Sequence, residues 1–185
     1  MKHYLSVDLD FFNHYPATGL DCLISFLVTR RITNVSLFGD HLPQLAFKRT
    51  RWRGATVWNY DEHDDTAVGG DIDIGNWGWH VLRTGGKLIW LHPPSRSKES
   101  ANASPDVEHL VKDGEEFPLP VIPEGEVLQG AAFFTSPGYL KNTLVVVALL
   151  HRFYWNAILV NKTDPADWTI RQLTDAAHNK HFGYD

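Results

Sequence analysis

Asp61, His63 and Asp65 stand at two-residue intervals within VWNYDEHDD, residues 57–65. Carboxylates and imidazoles bind divalent cations and move protons, and in extended backbone a two-residue repeat projects all three from one face. Val57, Trp58 and Tyr60 read as a short buried strand, so the triplet falls just past a strand end, where an α/β sheet holds its reactive groups. Three such side chains crowded on one edge repel or desolvate one another unless a cation sits among them. The simplest such cation is a divalent metal.

Two more predicted strands end in the same way. His3–Leu9 (HYLSVDL) alternates in hydrophobicity and runs into Asp8 and Asp10, and Ile32–Phe38 (ITNVSLF) leads directly into Gly39-Asp40-His41. Asp8, Asp10, Asp61 and Asp65 with His41 and His63 make four carboxylates and two imidazoles, the count a two-metal site needs if carboxylates bridge the ions. Oxygen-dominated ligation with imidazole and no thiolate favours two Mn²⁺, with Fe²⁺, Co²⁺ or Zn²⁺ as alternatives. A DxD pair alone is commonly a surface turn, and Asp71/Asp73 is a rival pair. Joint placement after three strands is what points to a metal.

The elements that must position these groups alternate between strand and helix. Leu20, Leu23, Ile24, Leu27 and Val28 recur at helical spacing within Gly19–Arg30, and Asn76–Leu82 (NWGWHVL) predicts a helix ended by Gly85-Gly86. Lys87–Leu91 is a fourth strand leading to His92, Val127–Phe134 a fifth, and Ile158–Val160 a last one. Leu42–Lys48 is a candidate short helix, and Arg49–Arg53 a basic turn. Ser136 at N-cap and Pro137 at N1 start an apolar helix over 138–155, and a C-terminal amphipathic helix is predicted over 165–178. Ser136 reads as a cap and not a nucleophile, because no GxSxG surrounds it. Ser95–Gly125 is polar and proline-rich, a long excursion with a hairpin around Phe117–Val121, of a length that suits a lid or a partner surface. The alternation predicts a mostly parallel sheet between helices, a three-layer α/β/α sandwich forming a single domain over residues 1–185.

With 185 residues, 43% of them hydrophobic, the chain can bury one substantial core. A formal net charge of −5 argues against nucleic-acid and anionic-membrane partners and suits a cationic substrate. The single cysteine, Cys22, excludes an internal disulfide framework and a thiolate zinc site and fits a reducing, cytoplasmic setting. No apolar signal region follows Met1, and no apolar run is long enough to span a bilayer. Self-association into a homo-oligomer is left open.

The strand-end motifs resemble those of the ureohydrolase superfamily of arginase and agmatinase, with its GGDH, DAHxD and SxDxD segments. Here these look like Phe38-Gly39-Asp40-His41, Asp61-Glu62-His63-Asp64-Asp65 and Ser6-Val7-Asp8-Leu9-Asp10. The resemblance implies that His41, Asp61, Asp65 and Asp8 hold one manganese and Asp61, His63, Asp8 and Asp10 the other, with Asp61 and Asp8 shared. Two departures stand out: Phe38 replaces the first glycine, and the SxDxD strand comes first, which makes the fold a compact, permuted version of the arginase/deacetylase type. Ligand geometry depends on which strands are neighbours and not on the order of their connections, so permutation leaves the site intact.

LDFF, DEHDD, NWGWH, WLHPP and TSPGYL are similar to a smaller arginase-like branch that includes the peptide arginases of ribosomal peptide maturation, over roughly residues 3 to 140. That branch implies a hydrolase converting arginine side chains of a precursor peptide to ornithine with release of urea. A guanidinium is protonated at all physiological pH and its carbon is a poor electrophile, so the reaction needs metal-activated water and a proton donor for the departing nitrogen. His80 is the candidate donor, because it follows DxHxD at a distance similar to that of the shuttling histidine of arginases; His92 is the runner-up. Asp73 is the candidate anion for the guanidinium, with Glu124 and Glu126 as alternatives, and Asn76 and Trp77 either position substrate or cap and bury the helix. The competing functions are a metal-dependent deacylase or deacetylase of the same fold, which a one-metal site would favour, and a non-catalytic binding protein with a vestigial site.

Overall fold

A computed structural model describes residues 1–13, 17–38, 52–73, 75–93, 106–110, 117–134 and 158–159. The expectations for His41, for the helices over 42–48, 138–155 and 165–178, for Ser136 and for most of the 95–125 excursion lie outside the described residues. Among the described residues no helix is long and apolar enough to cross a membrane.

The described strands are β1 (Lys2–Asp8), β2 (Val35–Phe38), β3 (Thr56–Tyr60), β4 (Lys87–Leu91), β5 (Glu108–Leu110), β6 (Val127–Phe134) and β7 (Ile158–Leu159). They form one mixed α/β fold around a seven-stranded sheet of order β5-β4-β3-β1-β6-β2-β7, and every pairing in it is parallel. Parallel strands at the centre of a sheet are buried on both faces, and β1 is buried from His3 to Asp8, polar residues included. All five residues of β3 are buried.

Side-chain alternation along the strands divides the interior in two. Leu5 and Val7 of β1, Trp58 and Tyr60 of β3, and Ile89 and Leu91 of β4 form one core with Leu20, Leu23, Ile24 and Leu27 of helix α1 (Ala17–Thr29). Tyr4, Val57, Leu88 and Trp90, on the alternate positions, form a second core with Trp52 and with Trp77 and Val81 of helix α2 (Trp77–Arg83). Each large apolar side chain buried this way contributes about 1.5–3 kcal/mol. Val28, expected on the apolar stripe of α1, is exposed, because α1 ends at Thr29 and the chain turns away through Arg31 at φ 56°.

The hairpin expected around Phe117–Val121 is absent: residues 117–123 carry no strand. Packing overrides local pattern there. Phe117 stacks between Phe12 and Tyr60 at 5.7 and 5.6 Å, and the Tyr60 hydroxyl donates to the Pro118 carbonyl at 2.8 Å. A Cβ on Gly19 would come within 2.5 Å of the Phe117 ring, so the glycine lets this segment lie across α1. The described end of the excursion therefore seals a core, and its other described piece, β5, extends the sheet beside β4.

Candidate functional site

The register of the central strands sets the geometry of the carboxyl edge. Val7 is level with Tyr60 and Tyr60 with Leu91, so the next residue on each strand puts Asp8, Asp61 and His92 in one row across β1, β3 and β4. The ladder continues into that row, since Asp61 N–H donates to the Leu91 carbonyl at 3.3 Å. Asp8, Asp61 and His92 are all buried, at 2%, 1% and 2% exposure. Adjacent parallel strands lie about 4.8 Å apart, and two ionised carboxylates withdrawn from water at such spacing are costly without a compensating cation or proton.

Past Tyr60 the backbone departs from the extended form on which the alternation of Asp61, His63 and Asp65 rests. Residues 61–63 form a bend, because the Asp61 Oδ1 accepts the His63 N–H at 2.8 Å. The His63 ring stays beside that carboxylate, with Nδ1 3.5 Å from Oδ1, but is 56% exposed. A second local turn follows, in which Asp64 Oδ1 accepts from the Thr66 N–H and hydroxyl at 2.9 and 3.0 Å. Asp65 adopts φ 52°, and its Oδ2 accepts the indole N–H of Trp77 at 2.7 Å. The three side chains thus point to different surroundings: buried sheet edge, solvent and the α2 core. The backbone after Asp8 is likewise not extended, since β1 ends there and Leu9–Asn13 form a 3-10 turn.

Helix α2 is held against this segment by close approach. Gly78 N–H donates to the Asp65 carbonyl at 2.9 Å, and a Cβ on Gly78 would lie 2.9 Å from that oxygen and 3.1 Å from the Asp64 carbonyl. Only glycine permits the contact. His80 lies on α2 with its ring edge-on to Trp79 at 4.9 Å, and its Nε2 is buried without a hydrogen-bond partner among the described residues. His92 packs on Trp90 with ring centroids 4.3 Å apart. Its Nδ1 lies 3.0 Å from the Pro93 carbonyl; a carbonyl only accepts, so Nδ1 carries a proton.

The predicted substrate-binding residues sit in the loop between β3 and α2. Asn76 is buried, and its amide donates to the Gly69 and Asp71 carbonyls, each at 2.8 Å, while its oxygen accepts the Asp73 N–H at 2.7 Å. Those bonds close the loop, and no side-chain cap of α2 is formed. The exposed Asp73 accepts the Gly75 N–H at 2.9 Å. Glu126, an alternative for the guanidinium, lies at the opposite, amino edge of the sheet, just before β6, paired with His3. There the His3 hydrogen bond chiefly holds its carboxyl below the ordinary value; partial burial opposes this and the Met1 amine reinforces it.

Asn59 and Glu62 were not among the predicted site residues. Asn59 is fully buried on β3, level with Ser6, and its Oδ1 has no partner among the described residues; Glu62 is buried beside Asp61. The available signal for Asn59 was an amide inside an otherwise apolar strand. Among the described residues no three His, Cys, Asp or Glu side chains gather closely enough to hold a metal ion. His41 lies outside the described residues, as does the side chain of Asp10. Asp8, Asp61 and His63 are donor types that a manganese-like cation takes, and they stand on two adjacent strand ends. No protein-family model, curated protein or solved structure matches the chain.

Proposed function

We propose that the chain is a metal-dependent hydrolase of linear amidines, a peptide arginase that converts arginine side chains to ornithine and urea. The observation that carries this reading is the buried row at the carboxyl edge, where Asp8 and Asp61 are neighbours on parallel strands. In this reading residues 1–185 form one arginase-like domain whose helices complete a three-layer α/β/α sandwich, working in the cytoplasm. Asp8, Asp61 and His63 would hold two manganese ions together with Asp10, His41 and Asp65. When bound, the ions supply an activated water and neutralise the carboxylates.

The chain's own residues supply the remaining chemistry. Asp61 holds its carboxylate in place through the His63 N–H, while its main chain is fixed by Leu91 and by the Trp90 indole, which donates to the Asp61 carbonyl at 3.0 Å. His92, at the row's end, has a proton on Nδ1, and in the neutral form of the ring Nε2 is the acceptor. That state suits a base that takes a proton and returns it to the departing amine nitrogen. The buried Nε2 of His80 makes His80 the other candidate for this transfer. Burial of the row excludes bulk water and strengthens interaction with a guanidinium.

A second reading is a one-metal deacylase of the same fold class, which the engagement of one Asp65 oxygen with the Trp77 indole favours. Metal analysis of purified protein separates the two, with two equivalents of manganese expected for the arginase. Urea release from free arginine and from arginine-containing peptides tests the substrate. Asp61→Asn should lower urea release by about a hundredfold or more, of the order seen when one essential catalytic group is removed, without loss of folding. Full turnover in that variant rejects the assignment.

A further inference from the structure

A cavity of about 380 Å³ opens at the amino edge of the sheet, away from the Asp8–Asp61–His92 row. Its apolar wall includes Trp58, Ile89, Val121 and Pro123, and Val121 is 72% exposed. Trp58 and Ile89 are buried and form its floor, and a cleft of this volume with apolar walls and a few charged groups has the make-up of a small-molecule site.

The polar wall is built with definite hydrogen-bond directions. His3, only 3% exposed, has Nδ1 3.1 Å from the Trp58 indole nitrogen. An indole N–H only donates, so Nδ1 is the acceptor, and Nε2 carries the proton that goes to Glu126. The Glu126 carboxylate is thereby satisfied by His3, with the Met1 amine 3.7 Å away. Two charged side chains of the lining remain, Lys87 on β4 and Glu108 on β5. Glu108 is level with Ile89, so Lys87, two residues before Ile89, shares its face of the sheet. The two Cα atoms are about 8 Å apart by strand geometry. Neither side chain enters an ion pair among the described residues.

We propose that this cavity binds a free α-amino acid with an apolar side chain, its carboxylate on Lys87, its ammonium on Glu108 and its side chain against Trp58, Ile89 and Val121. Among the described residues these are one charge of each sign without an ion pair, on the same face of neighbouring strands, which favours a zwitterion over a simple amine or acid. The satisfied state of Glu126 selects an apolar side chain over a basic one. The site is separate from the carboxyl edge and does not rest on the hydrolase reading.

Isothermal titration calorimetry of the full chain with L-norleucine tests it, with L-lysine, n-pentylamine and hexanoate as comparison probes. Norleucine should bind at least about tenfold more tightly than each comparison probe, and Lys87→Met and Glu108→Gln should each weaken it by about tenfold, as expected for loss of one charge-assisted bond. Both side chains are exposed, so both variants should keep the wild-type circular dichroism spectrum and melting temperature. Absence of norleucine binding, equal binding of amine or acid, or undiminished binding in either variant overturns the proposal.

Discussion

Gly78→Ala probes how α2 and the DEHDD segment support each other. The new methyl carbon would stand 2.8 Å from Leu88 Cδ2, 2.9 Å from the Asp65 carbonyl and 3.1 Å from the Asp64 carbonyl. Leu88 can rotate, but the two carbonyls belong to the backbone of the site, so relief requires α2 to move outward. That movement stretches the Gly78 N–H bond to Asp65 and the Trp77–Asp65 bond at 2.7 Å. Overpacking costs about 1–3 kcal/mol, and the two hydrogen bonds about 1 and 2 kcal/mol. Alanine's better helix propensity returns up to about 1 kcal/mol. The net is a destabilisation of about 3–6 kcal/mol, which for a chain of this size lowers Tm by about 10–20 °C. Thermal and urea unfolding followed by tryptophan fluorescence would measure it. An unchanged or raised Tm would mean that the helix is not docked as tightly as these distances state, and the coupling of α2 to Asp65 would be refuted.

Other outcomes follow from the same geometry. Glu126→Gln keeps an acceptor for His3 but removes the charge. A carboxyl whose folded pKa lies below its unfolded value adds stability above the ordinary carboxylate range and loses it as pH falls through the folded value. The variant should therefore lose less stability between pH 7 and pH 3 than the native chain, read as urea midpoints at the two pH values; equal losses would contradict the role of the pair. Asn76→Ala removes three loop hydrogen bonds and should cost about 1–3 kcal/mol. Faster amide exchange should be confined to residues 69–76, and an unaltered exchange pattern there would count against Asn76 as the loop's closure.

Much of the fold was legible because strands in a parallel sheet carry strong local signals. Lys87–Leu91 and Val127–Phe134 match their expected bounds, and NWGWH starts a helix within one residue of its expected place. In each, apolar periodicity and the flanking glycine or polar residues agree. The hairpin around Phe117–Val121 failed because its aromatic residue is satisfied by Phe12 and Tyr60 and not by a neighbouring strand. The placement of Glu126 could have been foreseen: a residue just before a strand of a parallel sheet lies at the amino edge, away from a site at the carboxyl edge.

By itself the sequence determined that carboxylates and histidines follow strands at Asp8, Asp61 and His92, since residue type and local periodicity are properties of the chain alone. Only the tertiary structure decided that β3 lies between β1 and β4, bringing those three residues into one buried row. It also turned His63 towards solvent and Asp65 towards Trp77. The physical reason is that strand order follows from burying two faces at once, and side-chain direction beyond a strand end from the nearest available hydrogen bond. Neither is encoded in the spacing of the letters.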